Sequence, residues 1–185
     1  MPRYAAFLRA INVGGRVVTM ELLRRVLADA GFASVETFIA SGNVLFESPV
    51  RDGARLEARI EQTLEAALGY RVATFVRTIP ELAAIAGRQP FPKGDDPGTA
   101  VYVAFLKAAP PAAARRAVMA FRDDLNDFVL AGRELYWHSR GPFGGVGMRG
   151  FSGATLEKTL GAEATLRNSS TVKKLAAKCE TDDRR

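Results

Sequence analysis

The sequence predicts an α+β protein made of two similar halves, and three observations carry that expectation. Apolar runs of strand length alternate with helical periodicities in the order β-α-β-β-α-β over residues 4–77. The opening β-α-β-β of this series recurs after residue 98. Between the two lies a stretch, residues 89–98, with three prolines and two glycines, the composition of a boundary. The first series is the split βαβ pattern of a ferredoxin-like sandwich. The expected organisation is a ferredoxin-like subdomain over residues 1–88, a linker over 89–98, a second α+β subdomain over 99–180 and a disordered polar tail over 181–185. The second half reads as incomplete in strands and finished by C-terminal helices.

Each element has a local reason. Residues 4–11 are apolar almost throughout, so they read as a central strand covered on both faces, with Arg9 the exception. Thr19 is a good N-cap for a helix over residues 20–30, whose stripe is Leu23, Val26, Leu27 and Ala30. Gly31 supplies a left-handed C-terminal residue, after which Phe32 folds back onto the last turn. Residues 35–40 and 44–47 form a hairpin around Ser41-Gly42-Asn43. Leu56, Ile60, Leu64 and Leu68 repeat every four residues along a second helix that Gly69 ends, and a strand follows over residues 70–77. Pro80 opens a short helix through Ala86. In the second half, residues 100–106 read as a strand, 111–121 as a helix, and 127–130 with 134–138 as a hairpin; helices close the chain near residues 154–160 and 169–178. No sequence identity between the halves stands out.

Composition bounds the function without specifying it. With 48% hydrophobic residues the chain can build a packed core, and its apolar runs are far shorter than the roughly 20 residues that cross a bilayer. No signal peptide is evident, so a cytoplasmic protein with no membrane partner is expected. One cysteine, Cys179, excludes an internal disulfide, and one histidine, His138, leaves no zinc site of the usual ligand types. No cofactor is expected. The net charge of +6 admits an anionic partner, although basic and acidic residues interleave as on a solvated helix face.

Topology turns two polar passages, Asn12-Val13-Gly14-Gly15-Arg16 and Ser41-Gly42-Asn43, into a candidate site. In a split βαβ sandwich the loop leaving the first strand and the hairpin leaving the second emerge on the same edge. Gly14 and Gly15 bring backbone N–H groups near a ligand ahead of a helix N-terminus, Arg9 and Arg16 add charge, and Asn12, Ser41 and Asn43 add donors and acceptors. The plainer reading is that both passages are turns in their own right, with Asn12 capping its loop. The loop over residues 141–150 contains a literal GxGxxG at 145–150, but lacks the strand and helix context of a dinucleotide site. Asn168 is placed to cap a helix whose first turn, beside Arg167 and Lys173, is a further phosphate candidate. His138 carries no catalytic pattern and is expected at a surface or interface.

The passages Arg9-Ala-Ile-Asn-Val-Gly-Gly15, Ser41-Gly-Asn-Val44 and Thr165-Leu-Arg-Asn168 with Thr171-Val172, together with Met20 and Gly31-Phe32, resemble in order and spacing the bacterial domain-of-unknown-function family 1697. The resemblance covers nearly the whole chain. It implies ferredoxin-like subdomains and a ligand site among Arg9, Asn12, Gly14, Gly15, Ser41, Gly42, Asn43, Arg167 and Asn168; it implies no activity, substrate or cofactor. Arg16-Val17-Val18 and Ser169-Ser170 stand where relatives often have lysine with polar residues and a tryptophan.

The functional expectation is a small-ligand or anion-binding domain, a phosphorylated metabolite being the natural class. Nucleic-acid binding is the alternative, although Asn43-Val-Leu-Phe-Glu47 lacks the aromatic pair that stacks bases. An enzyme or a protein-interaction module is also compatible; no nucleophile and base stand at a readable spacing.

Overall fold

The structure, a computed structural model, describes residues 1–12, 15, 17–39, 42–92, 98–140 and 151–182. It divides into two compact units, Met1–Leu82 and Ala83–Arg185. Elements run β1 (Arg3–Leu8), α1 (Met20–Asp29), β2 (Ala33–Phe38), β3 (Asn43–Glu47), α2 (Gly53–Leu68), β4 (Thr74–Thr78) and α3 (Ile79–Gly87), then β5 (Ala100–Leu106), α4 (Ala112–Met119), β6 (Asn126–Ala131), β7 (Glu134–Ser139), α5 (Gly153–Leu160), β8 (Ala164–Asn168) and α6 (Ser169–Asp182). Each unit holds one four-stranded sheet, ordered β2-β3-β1-β4 and β6-β7-β5-β8, with every pairing antiparallel.

This is the two-half α+β fold expected, with one correction: the second half is complete. Its fourth strand is β8, five residues lying beside β5 from Leu106↔Ala164 to Tyr102↔Asn168. The sequence hid it because Ala164–Asn168 is short and runs without a loop into α6, so its residues read as the approach to a helix. Once β8 is in place the halves share the order β-α-β-β-α-β-α.

In the first unit, Thr19 accepts the Leu22 N–H to cap α1, and Gly31 N–H to Ala28 O with Phe32 N–H to Leu27 O closes it in a Schellman turn. Gly31 takes φ +85°, which a Cβ would resist. The apolar faces of α1 and α2 meet Tyr4, Ala6 and Leu8 of β1, Val44 and Phe46 of β3 and Val76 of β4 in one core. The second unit buries Tyr102, Ala104 and Leu106 with Val118, Phe128, Leu135, Trp137, Phe151 and Leu156 in the same manner. Phe46 stacks on Tyr4 with centroids 5.6 Å apart, and Trp137, in the matching register, lies 5.2 Å from Tyr102.

That correspondence extends to sequence. Tyr4-Ala-Ala-Phe-Leu8 and Tyr102-Val-Ala-Phe-Leu106 are the same strand with one change, and Arg77 and Arg167 hold the same place in β4 and β8. The shared residues are the ones that face each core or cross its sheet.

Candidate functional site

At the edge expected to carry the site, the end of β1 and Ile11 lie against Gly42 of the hairpin. Leu8 N–H donates to Gly42 O at 2.8 Å, and a Cβ on Gly42 would sit 3.0 Å from Ile11 Cγ2 and 3.1 Å from Leu8 Cβ. Gly42 and Gly15 both take positive φ, as do Ala10 and Ile39 on the same edge. The side chains of Asn12 and Asn43 serve the turns themselves. Asn12 Oδ1 accepts the Val18 N–H at 2.7 Å, closing the loop before α1. The buried Asn43 donates from Nδ2 to Phe38 O at 3.0 Å, closing the hairpin. Arg9 is half-buried, and its backbone N–H donates to Ala73 O. Gly14, Arg16 and Ser41 lie outside the described residues, as do the glycine-rich loop at 141–150 and the central part of the linker, 93–97.

Arg167 and Asn168 sit at the junction of β8 and α6 in the second unit. Asn168 Oδ1 accepts the Ser170 N–H at 2.9 Å, the capping role its position suggested. Arg167 is buried and donates from Nη1 to Thr165 Oγ1 and to Leu166 O, each at 2.8 Å. Burial pushes its guanidinium down to about 10, still cationic at neutral pH. His138, expected at a surface or interface, is only 2% exposed: it lies within the sheet on β7, with Phe91 packed 5.1 Å from its ring.

Sequence reading missed one concave feature in the second unit. A cavity of about 230 Å³ opens in the second unit beside the start of α6. Its apolar wall comes from Val101 and Val103 of β5, Val172 of α6 and Phe91. Ser169 and Lys173 of α6 and Arg88 after α3 supply the polar part. Arg88 and Lys173 are exposed at its mouth and have no ion-pair partner among the described residues. Two cations beside the first turn of a 14-residue helix, without an ion-pair partner among the described residues, favour an anion at the opening. Tyr136 completes the lining; its hydroxyl donates to Ile85 O at 3.3 Å, and burial, then Glu134, push it up to about 12, so it stays a neutral donor. In register, Tyr136, Val103 and Arg167 form one row across β7, β5 and β8. Arg167 thus stands next to the cavity wall without lining it.

The signal for this cavity was weak because its residues come from four separated segments. Gln89-Pro-Phe-Pro92 read as linker, whereas it supplies an aromatic wall, and Arg88, read as the end of the first subdomain, supplies a cation. Among the described residues no group of three His, Cys, Asp or Glu side chains is placed to hold a metal ion, and no helix is long and apolar enough to cross a membrane.

Comparison with known proteins bears on the fold. The model of a family described as a protein of unknown function, DUF1697, matches residues 1–136. The solved structure of a conserved bacterial protein from Streptococcus pneumoniae superposes with a TM-score of 0.72 at 21% identity, covering 97% of this chain and 99% of that one. That likeness shows the fold alone. No curated protein matches the chain.

Proposed function

We propose, for a chain that belongs to the DUF1697 family of proteins of unknown function, a role in binding a small anionic molecule with an apolar body. The observation that carries this reading is the cavity on which Arg88, Lys173 and the start of α6 converge against a wall of Val101, Val103, Val172 and Phe91. At about 230 Å³ it lies below the roughly 300–1,000 Å³ of drug-sized sites, which favours a compact carboxylate or phosphate ester. The single, buried Cys179 supports a cytoplasmic setting, and the bacterial source of the matching structure supports a bacterial one.

The edge formed by Asn12, Gly15, Gly42 and Asn43 is the second reading. It is favoured by left-handed backbone at Ala10 and Ile39 and by two exposed apolar side chains, Val17 at 84% and Ile39 at 53%. Nucleic acid has less support: Asn43-Val-Leu-Phe-Glu47 of β3 lacks the aromatic pair that stacks bases.

Calorimetric titration of the full chain with inorganic phosphate and with a panel of small carboxylates and phosphate esters tests the proposal. Binding that Lys173→Glu or Arg88→Glu weakens by about tenfold or more, and that Asn12→Ala leaves unchanged, is the expected result. The reverse pattern moves the site to the edge. No binding to any member of the panel overturns both readings.

A further inference from the structure

A groove of about 690 Å³ runs between α4 and β6, at the rim of the second core and apart from the cavity above. Its floor is apolar: Pro110, Met119 and Leu130, with the last two half-buried against the core. Its rim is basic. Arg115 and Arg116 project from α4, exposed and without an ion-pair partner among the described residues. We propose that this groove docks an acidic amphipathic helix of another protein, its apolar side chains on Met119 and Leu130 and its carboxylates on Arg115 and Arg116.

Charge complementarity selects an acidic occupant, and the strand beside the groove selects its conformation. β6 is an edge strand, the usual template for an added extended peptide, but the outward backbone groups of its first half, on Asn126 and Phe128, are already taken. Arg122 donates to Phe128 O at 3.0 Å, and Asp123 exchanges bonds with both backbone groups of Asn126, at 2.7 and 2.9 Å. An arriving strand finds no ladder at those positions. A helix needs none, because its own backbone is satisfied and it binds through one face. A polyanion such as RNA fits less well. The floor offers carbon where phosphates want donors, Phe128 is buried, and Asp123 and Asp124 follow directly on Arg122.

The test is selection of peptides from a random phage library on the full chain, followed by anisotropy titration of the recovered sequences. The expected result is a set with Glu or Asp on one helical face and Leu, Met or Phe at i, i+3, i+4 and i+7 on the other. Their affinity falls at least tenfold in Arg115→Glu/Arg116→Glu and in Ala112→Glu, and weakens as salt rises. These positions are exposed, so each variant keeps the wild-type melting curve, which is checked first. Three results overturn the proposal: recovered peptides that bind the variants as tightly as wild type, recovered peptides without the acidic and apolar pattern, or single-stranded RNA that competes fully for the same arginines.

Discussion

Arg77 and Arg167 occupy one position in two copies of the same half-fold. Each is the penultimate residue of the strand that completes its sheet, each is buried, and each donates from Nη1 to the carbonyl of the residue before it at 2.8 Å. A buried guanidinium survives only if its donors are used, so these arginines are tied to the local backbone rather than free to reach a ligand. Arg77 is the more buried, at 0% against 8% exposure. Arg77→Ala is therefore expected to cost about 3 kcal/mol, combining a cavity with lost charge-assisted bonds, and Arg167→Ala somewhat less. Urea denaturation of the two variants measures both; a cost below about 1 kcal/mol for Arg77→Ala contradicts the structural role.

The second prediction concerns how the first sheet ends. β4 is its edge strand, and the three N–H groups it turns outward all meet carboxylates: Thr74 to Glu61 and Val76 to Glu57, each at 2.9 Å, and Thr78 to Glu81 at 2.8 Å. Glu57 and Glu61 stand one turn apart on α2, so a single helix face seals two of the three. Glu81 with Thr78 makes a capping box for α3 at the same time. Glu157 of α5 does the same for Ala164 in the second unit. Glu57→Leu leaves the buried Val76 N–H without an acceptor and is expected to cost about 1–3 kcal/mol, with Glu57→Gln largely preserved because an amide oxygen still accepts. Equal losses in the two variants would show that charge, not the acceptor, matters there.

These relationships explain what was legible in the sequence and what was not. Helices α1 and α2 could be read because caps, glycines and apolar stripes are local signals, and the structure uses Thr19, Gly31 and Gly69 as those signals implied. The approach of the hairpin to the end of the first strand followed from topology alone and is present as the bond from Leu8 N–H to Gly42 O. Strand β8 was obscured because its last residue directly precedes α6, leaving no turn residues to mark the change. The sequence identity between the halves escaped notice because four matching residues in five, at Tyr4–Leu8 and Tyr102–Leu106, carry little weight until their registers to Phe46 and Trp137 are known. The cavity was beyond reach in principle: Arg88, Tyr136 and Lys173 are brought together by tertiary packing, and no spacing in the chain records it.

The third prediction separates backbone conformation from crowding. Gly42 combines φ +76° with neighbours 3.0–3.3 Å from the place a Cβ would take, one of them the Leu8 carbonyl oxygen, whereas Gly69, at φ +78°, has nothing within 4 Å. Gly69→Ala therefore carries only the left-handed cost of about 1 kcal/mol, and Gly42→Ala adds overpacking for a total of roughly 3 kcal/mol. Thermal denaturation of the pair reads the difference directly. If the two alanine variants melt together, the contact between the hairpin and β1 is looser than the bond from Leu8 implies.

The last prediction is a pH dependence centred on Tyr136. Burial, reinforced by Glu134 and partly opposed by Arg88, pushes its hydroxyl up to about 12 from the ordinary 10.0. The folded state then holds the phenolic proton over a pH range in which the unfolded chain has released it. Tyr136 contributes this stability fully below pH 10, and the contribution is lost as pH rises from 10 to 12. Lysines titrate in the same window, so the informative quantity is the difference between wild type and Tyr136→Phe, which keeps the ring and removes the titrating group. Urea denaturation at a series of pH values should show the wild type losing stability relative to Tyr136→Phe across that interval, with a constant offset below it. Parallel curves would mean that Tyr136 ionises as readily in the fold as in the open chain, and that the cavity it lines admits water to its hydroxyl.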